Sequence, residues 1–178
     1  MAAKKKKTAA KKSKAKKSAK KPAKVQAIPS SYSTVCPGFG TKQPGEKVIE
    51  FYTKVFGAKV MTKMQGPDGH VAHCELKMGD TVLMFGAPMD GNEYVMHAMT
   101  YVKDVDATVQ KALANGATLK TPIEDQFYGD RAGRVTDPFG NEWFVATHVE
   151  NVSKKEMDRR MAAVMSGQPW KNAPAQAA

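Results

Sequence analysis

The chain has 178 residues, 42% of them hydrophobic, which suffices for one domain with a proper core or for two small modules that share one. Its formal net charge of +11 is unevenly spread, because residues 1–24 hold 12 of the 28 Lys and Arg and no acid. The remaining 16 Lys and Arg face 17 Asp and Glu, a net charge of −1, so the rest of the chain is nearly neutral. No run of 18 apolar residues occurs, which excludes a transmembrane helix.

The first segment, MAAKKKKTAAKKSKAKKSAKKPAK, has no large apolar residue after Met1. Such a composition cannot bury enough surface to offset the entropy of ordering, so we expect residues 1–30 to form a disordered tail. The tail lacks the apolar region of a signal peptide, and the chain has only two cysteines. These features predict a reduced, cytoplasmic location, with Cys36 and Cys74 as small buried hydrophobes.

Two interpretations of the lysine tail stay open. It is similar to the Ala/Lys/Pro tails of linker histones and of some nucleoid proteins, which implies binding to DNA or RNA without sequence readout and a nucleoid-associated location. The alternative is a solvated tail with no partner. The residues predicted to contact nucleic acid are Lys4, Lys5, Lys6, Lys7, Lys11, Lys12, Lys14, Lys16, Lys17, Lys20, Lys21 and Lys24.

The next elements follow the order β-α-β-β-β. Ser33 to Phe39 is a short β-prone run, and PGEKVIEFYTKVF has its apolar residues at helical spacing before a stop at Gly57. Three strand-like runs follow, AKVMTKM, HVAHCELKM and TVLMFGA. We therefore predict a first module over about residues 32–90.

The same order then occurs a second time. VMHAMTYV is followed by a helix capped by Asp104, by a stop at Gly116, and by the strands ATLKTP, RAGRVTD and NEWFVATH. FGAKV after the first helix corresponds to NGATL after the second, which indicates an internal repeat. We predict a second module over about residues 94–150, one domain over 31–152, and a C-terminal helix with a loose tail over 153–178, begun by a capping box of Ser153 and Glu156.

The paired modules, the helix motif IEFYTKVFGA and the motif DPFGNEW resemble the vicinal oxygen chelate superfamily. Within it, GPDGHVAHCELKMGD, EDQFYGDRAGRVTDPFG and ATHVENVSKKEM are similar to the PhnB-like, glyoxalase/bleomycin-resistance subgroup. The resemblance covers about residues 32–161. It implies an α+β fold, in which two modules curl a mixed sheet around a concave cavity, and a homodimer that closes the cavity.

The resemblance also places metal ligands at four positions, one on the first and one on the last strand of each module. Only His97 matches, since the other positions fall near Cys36 or Pro37, at Met84 and at Phe144. One ligand holds a divalent ion weakly, so we expect no cofactor. The alternative is a rearranged metal site of His97 with His73, Glu75 and His148.

Strand alternation separates a buried face from a cavity face. In HVAHCELKM the apolar set of Ala72, Cys74, Leu76 and Met78 is expected beneath a helix. His73, Glu75 and His97 are the candidate catalytic residues, because imidazole and carboxylate side chains transfer protons. The candidate ligand-binding residues are Met84, Met99, Tyr101, Tyr128, Arg131, Glu142, Phe144 and His148.

Tyr128 and Arg131 are included because EDQFYGDR, Glu124 to Arg131, reads as a long hairpin loop that could close over a ligand. The competing interpretation is a structural ion pair of Asp130 with Arg131 or Arg134. Both remain open from the sequence.

Two classes of function follow. The first is a glyoxalase/bleomycin-resistance-like domain that binds a small molecule, or a lyase, isomerase or dioxygenase-like enzyme of unknown substrate. The second is a nucleic-acid-associated protein in which the tail binds DNA or RNA and the domain dimerises or senses a ligand. Neither implies a membrane partner.

The lysine tail generates the first testable prediction. If about six phosphates are neutralised, log K for duplex DNA should fall against log salt with a slope of about −5. Deleting residues 1–24 removes 12 lysines and should abolish the binding, as measured by fluorescence anisotropy at several salt concentrations. Equal binding by the truncated and the full chain would show the tail hypothesis to be wrong.

Overall fold

The computed structural model describes residues 25–171, which form two β-α-β-β-β modules and a C-terminal helix. The lysine tail, residues 1–24, and the predicted loose end after residue 171 lie outside the described residues. The first module contains β1 (Gly38–Gly40), α1 (Gly45–Phe56), β2 (Lys59–Gln65), β3 (Val71–Met78) and β4 (Thr81–Gly86). The second contains β5 (His97–Tyr101), α2 (Val105–Ala114), β6 (Thr118–Asp125), β7 (Asp130–Thr136) and β8 (Glu142–His148), and α3 (Lys154–Met165) follows.

Each module forms one four-stranded sheet, with the orders β1-β4-β3-β2 and β5-β8-β7-β6. The first strand of each module runs parallel to the last, and the other neighbours are antiparallel. Both sheets are therefore mixed and have the same strand order, which confirms the predicted α+β fold class and the internal repeat.

The helix ends follow the predicted local signals. Asp104 accepts a hydrogen bond from the backbone N–H of Ala107 at 2.9 Å, and Ser153 accepts one from Glu156 at 3.3 Å. Gly57 ends α1 with a φ of 68°, a conformation that glycine adopts without steric cost. Among residues 25–171, no helix combines the length and the apolar character needed to cross a bilayer.

The helices α1 and α2 and the two sheets enclose a single apolar core. Of the four β3 residues predicted to lie beneath a helix, Cys74 and Leu76 are fully buried, whereas Ala72 and Met78 are only partly buried. Burial raises the pKa of the Cys74 thiol to about 11, so this cysteine is an apolar core residue rather than a nucleophile. Phe56 of α1 lies 5.0 Å, between ring centroids, from Trp143 of β8, so the core crosses the boundary between the modules.

A buried carboxylate, that of Asp137, joins the modules at the DPFGNEW motif. Its oxygens accept hydrogen bonds from the Tyr52 hydroxyl at 2.5 Å, the Trp143 ring N–H at 3.3 Å and the Asn141 side-chain amide at 3.0 Å. They also accept the backbone N–H groups of Phe139 and Asn141, each at 2.9 Å. Burial, together with the charge of Asp137, raises the pKa of Tyr52 well above its usual range. The motif is therefore a structural element of the fold.

The segment before β1 departs from the sequence prediction. Only Gly38 to Gly40 is a strand, whereas the run from Ser33 to Phe39 was expected to be one. Tyr32 instead donates a hydrogen bond from its hydroxyl to Glu75 at 2.7 Å, and Lys77 donates one to the carbonyl oxygen of Ser31 at 3.0 Å. This segment lies over the face of the first sheet that is turned away from the helices, where Val82 is fully buried outside the main core.

The expected long loop from Glu124 to Arg131 is also corrected. β6 continues to Asp125 and β7 begins at Asp130, which leaves a turn of only residues 126–129. The N–H of Gly129 bonds the carbonyl oxygen of Gln126 at 3.0 Å, and Gly129 has a φ of 101°. A turn this tight does not form a mobile lid over a ligand.

Asp137, Tyr52, Asn141 and Trp143, which we name the Asp137 cluster, generate a stability prediction. Tyr52→Phe removes one hydrogen bond to a buried carboxylate and keeps the ring, so the free energy of unfolding should fall by about 1.5–3 kcal/mol. Urea denaturation measures the change. The matched control is Tyr94→Phe, at an exposed tyrosine, which should stay within about 0.5 kcal/mol of the parent. Equal effects of the two substitutions would contradict the structural role of the cluster.

Candidate functional site

The second sheet has one face beneath the helices and one turned away from them, which we name the open face. Because opposite residues of paired strands share a face, the register of β5, β8 and β7 identifies its members. They are His97, Met99 and Tyr101 on β5, Glu142, Phe144, Ala146 and His148 on β8, and Asp130, Ala132, Arg134 and Thr136 on β7. Six of these eleven residues are in the predicted site.

A depression of about 290 Å³ lies on the open face. It is lined by His97, Ala98, Met99, Arg134, Glu142 and Phe144. The guanidinium carbon of Arg134 lies 5.5 Å from the centre of the Phe144 ring, a cation–π arrangement. The floor of the depression is thus apolar and aromatic, and one side is cationic.

Glu142 occupies the other side of the depression. One of its oxygens lies 3.3 Å from Nδ1 of His97, and the other lies 3.4 Å from Nζ of Lys120. Arg134 and Lys120 are cations and Glu142 is an anion, so these three side chains together carry one net positive charge. This part of the open face therefore favours an anionic group.

A second cavity of about 620 Å³ follows the free edge of β5, between the modules. Met99 lines both cavities, so they are adjacent, and Tyr101 lines the larger one. Val55, Phe56 and Trp143 supply apolar walls on the helix side. A ligand on the open face therefore has room to extend from Arg134 past Met99 to Tyr101.

At the far end of the open face, three side chains form a hydrogen-bonded unit that we name the Tyr-Asp-His cluster. Asp130 is buried and accepts a hydrogen bond from the Tyr101 hydroxyl at 2.8 Å. Its other oxygen lies 2.7 Å from Nδ1 of His148, whose Nε2 lies 3.1 Å from the Asn151 side-chain oxygen. The hydrogen bond to Asp130, followed by that to Asn151, raises the pKa of His148. The hydrogen bond to Asp130 also raises the pKa of Tyr101.

The first sheet holds a separate pair, His73 and Glu75, with Nε2 and Oε1 3.3 Å apart. Glu75 also accepts the Tyr32 hydroxyl, and this hydrogen bond is the main cause of its lowered pKa. Met84 lies opposite Glu75 in the sheet register. The segment before β1 therefore occupies the part of this face that carries a predicted catalytic carboxylate.

The three histidines of the predicted site form separate pairs: His73 with Glu75, His97 with Glu142 and His148 with Asp130. Within residues 25–171, no three His, Cys, Asp or Glu side chains are grouped so that they could hold a metal ion. The rearranged site of His73, Glu75, His97 and His148 is thus not assembled in this structure. The expected absence of a cofactor stays a prediction.

Arg131 and Tyr128 do not join the open face through a closing loop. Arg131 points to the helix side, where it donates hydrogen bonds to Asp106 at 2.7 and 2.8 Å and to Asp125 at 3.2 Å. Tyr128 stacks edge-on against Phe127, and burial raises its pKa. An ion pair does exist here, but Asp130 takes no part in it.

Sequence reasoning missed Asp130 and Arg134 as members of the open face, and Lys120 as a neighbour of Glu142. Arg134 had entered the interpretation only as an ion-pair partner, and Asp130 as an ion-pair partner and as part of the supposed closing loop. The alternation of RAGRVTD, set beside NEWFVATH, does contain the signal, since it places Arg134 and Arg131 on opposite faces. Asp130 had no comparable signal, because it lay in the supposed loop.

The Tyr-Asp-His cluster generates a prediction on ionisation. The His148 imidazole should titrate above the usual value of about 6.5, as measured by NMR, and Asp130→Asn should lower this pKa. Because the folded-state pKa is raised, the contribution of His148 to stability is present below about pH 6.5 and is lost as the pH rises through the folded pKa. Asp106→Asn, which removes an exposed carboxylate bound to Arg131, is the control and should leave the His148 pKa unchanged.

Comparisons with known proteins agree with this fold. The family model of the "Glyoxalase/Bleomycin resistance protein/Dioxygenase superfamily" matches residues 45–145. An uncharacterized protein of Mycobacterium bovis is 36% identical over 133 residues, 67% of this chain and 86% of that protein.

Two solved structures share the fold at low sequence identity. TioX from Micromonospora sp. ML1 is similar with a TM-score of 0.54 and 21% identity, over 65% of this chain and 99% of TioX. TnmS3, an antibiotic binding protein from Streptomyces sp. CB03234, has a TM-score of 0.52 and 20% identity, over 70% of this chain and 99% of TnmS3. The match of the family model to more than half of the chain is decisive: the chain belongs to the glyoxalase/bleomycin resistance protein/dioxygenase superfamily.

Proposed function

We propose that this protein binds a small molecule with a flat apolar body and a carboxylate group on the open face of its second sheet. The apolar body would lie against Phe144 and Met99, and the carboxylate would accept hydrogen bonds from Arg134. Flat apolar surfaces with a few placed polar groups are the usual composition of a ligand site.

The observation that supports this proposal is that, among residues 25–171, the guanidinium of Arg134 has no carboxylate partner. Each of the other three arginines binds a carboxylate: Arg131 binds Asp106, Arg159 binds Glu156 and Arg160 binds Glu150. Among residues 25–171, no carboxylate pairs with the guanidinium of Arg134, which lies over the Phe144 ring instead. A planar guanidinium that is stacked and unpaired retains its donors for a bidentate contact with a carboxylate.

The similarity to TnmS3, described as an antibiotic binding protein, is in keeping with a binding role, although at 20% identity it speaks for the fold alone. The more specific PhnB-like assignment rests on sequence motifs and stays a prediction. So do the homodimer and the independence from a metal ion, which follow from the family resemblance and from the single matched ligand, His97. An enzyme that uses His97, or His73 with Glu75, as acid and base remains compatible with the same fold.

The second candidate function is nucleic-acid association through the lysine tail. Its support is the segregation of charge, since residues 1–24 carry 12 lysines while the rest of the chain has a net charge of −1. The depression on the open face, where Arg134 and Lys120 lie beside the carboxylate of Glu142, does not have the composition of a phosphate-binding groove. The two functions would therefore belong to different parts of the chain.

Carboxylate binding can be tested with matched probes. Phenylacetate should bind the full chain, and phenylacetamide, which lacks the charge, should bind more weakly; saturation-transfer NMR measures both. Arg134→Gln removes a charged hydrogen-bond donor and should weaken phenylacetate binding about 10-fold or more. Arg159→Gln on α3 is the control and should retain the parent affinity. Equal affinity of the Arg134→Gln and parent proteins would contradict the proposal.

A further inference from the structure

Among residues 25–171, the strand β5 has a backbone edge that no other strand covers. On its other side β5 pairs with β8 in parallel, where the carbonyl oxygen of Met96 and the N–H of Val102 form hydrogen bonds of 3.0 and 2.8 Å. Because successive residues direct their backbone groups to opposite sides, the even-numbered residues face β8. The N–H and C=O groups of Met99 and Tyr101 therefore point away from β8, to the free edge.

The other edge strands of the two sheets in residues 25–171 carry features that discourage further pairing. β2 and β6 have interrupted registers and contain lysines, and β6 also contains Pro122. β1 has only three residues and follows Pro37. In contrast, β5, with the sequence HAMTY, has a continuous register and contains neither lysine nor proline. Its edge thus remains available to a hydrogen-bonding partner.

The free edge of β5 forms one wall of the cavity of about 620 Å³ between the modules. Five consecutive residues, 98–102, line this cavity. Since the side chains of consecutive strand residues point to opposite faces, the feature that all five share is their backbone edge. Phe56 and Trp143 line the cavity from the helix side, and the first module contributes Pro37 and residues 78–81. The cavity therefore combines backbone hydrogen-bonding groups with apolar side chains.

We propose that this cavity binds a planar cyclic amide, whose N–H and C=O groups lie side by side and exchange hydrogen bonds with the backbone of Met99. A ring that holds its amide in the cis form presents a donor and an acceptor in one direction, as the backbone of an edge residue does. The flat body of the ring would lie against Phe56 and Met78, which are only half-buried. This site does not depend on the binding of a carboxylate by Arg134.

The surroundings of the edge favour a compact molecule over an added strand. Gly40 and Tyr94 join the two modules by a pair of backbone hydrogen bonds, at 2.9 and 3.1 Å, shortly before β5 begins. A strand that followed β5 would meet this bridge at one end, and it would also meet the first module, because Pro37 lines the same cavity. The volume of about 620 Å³ is typical of small-molecule sites, which have about 300–1,000 Å³.

Binding of 2-quinolinone, a planar cyclic amide, tests this site in the full chain. The matched probe is 1-methyl-2-quinolinone, in which a methyl group replaces the amide hydrogen. The methylated compound should bind about 10-fold more weakly, since it loses one hydrogen bond and its methyl group meets the carbonyl oxygen of Met99. Saturation-transfer NMR measures both affinities. In isotope-labelled protein, the backbone amide signals of Met99 and Tyr101 should move during the titration with 2-quinolinone.

Two substitutions at one position separate the backbone contact from the side chain. Met99→Ala removes the side chain and keeps the N–H, whereas Met99→Pro also removes the N–H. This N–H faces the free edge and forms no bond to β8, so proline is compatible with the strand here. Met99→Pro should bind 2-quinolinone about 5-fold more weakly than Met99→Ala. Thermal unfolding checks that both variants are folded, and the comparison of the two quinolinones in the parent protein needs no variant.

Several results would overturn the cyclic-amide site. These are the absence of 2-quinolinone binding, equal affinity of the parent protein for the two quinolinones, and equal affinity of folded Met99→Pro and Met99→Ala for 2-quinolinone. Weaker binding of 2-quinolinone by Arg134→Gln would place the probe in the depression on the open face and would have the same consequence. If Met99→Pro converted a dimer into a monomer, as measured by light scattering, a second copy of the chain would cover this edge instead. Binding of 2-quinolinone without binding of phenylacetate would overturn only the carboxylate-binding function.

Discussion

A single buried carboxylate, that of Asp137, holds the two modules in one fold. Its five hydrogen bonds reach α1 through Tyr52, β8 through Trp143 and the tight turn through Phe139 and Asn141. Asn141 in turn accepts the N–H of Met96, immediately before β5, at 3.0 Å. Since β5 and β8 carry most of the open face, the placement of Phe144 and Tyr101 depends on a cluster whose own side chains are buried.

In the second sheet, the residues that stabilise the fold and the residues that are available to a ligand lie on opposite faces. Trp143 and Val145 point into the core, whereas Phe144, between them on β8, is only partly buried and lies on the open face. The inner positions are apolar and fully packed, so they tolerate little change. Several outer positions, among them Glu142, Phe144 and His148, are partly buried or exposed and carry aromatic or ionisable side chains. Substitutions there should therefore alter recognition far more readily than folding.

Much of the architecture was predictable because its signals are local. The caps at Asp104 and Ser153, the stop at Gly57 and the buried face of β3 each depend on a few adjacent residues. The candidate site was only partly predictable, since its contacts join distant residues. Asp130 contacts Tyr101, 29 residues away in the sequence, and His148, 18 residues away. Whether Asp130 belongs to a loop or to a strand depends on where β6 ends. The path of the segment around Tyr32 had no periodic signal at all.

The segment around Tyr32 has a consequence for stoichiometry. The repeat makes the two sheets equivalent in strand order, and a symmetric protein of this kind would offer two equivalent ligand faces. The Tyr32 hydroxyl, however, donates a hydrogen bond to Glu75, and Val82 is fully buried, so the chain itself covers part of the first face. Saturation at one phenylacetate per chain, rather than two, is the expected result of this broken symmetry.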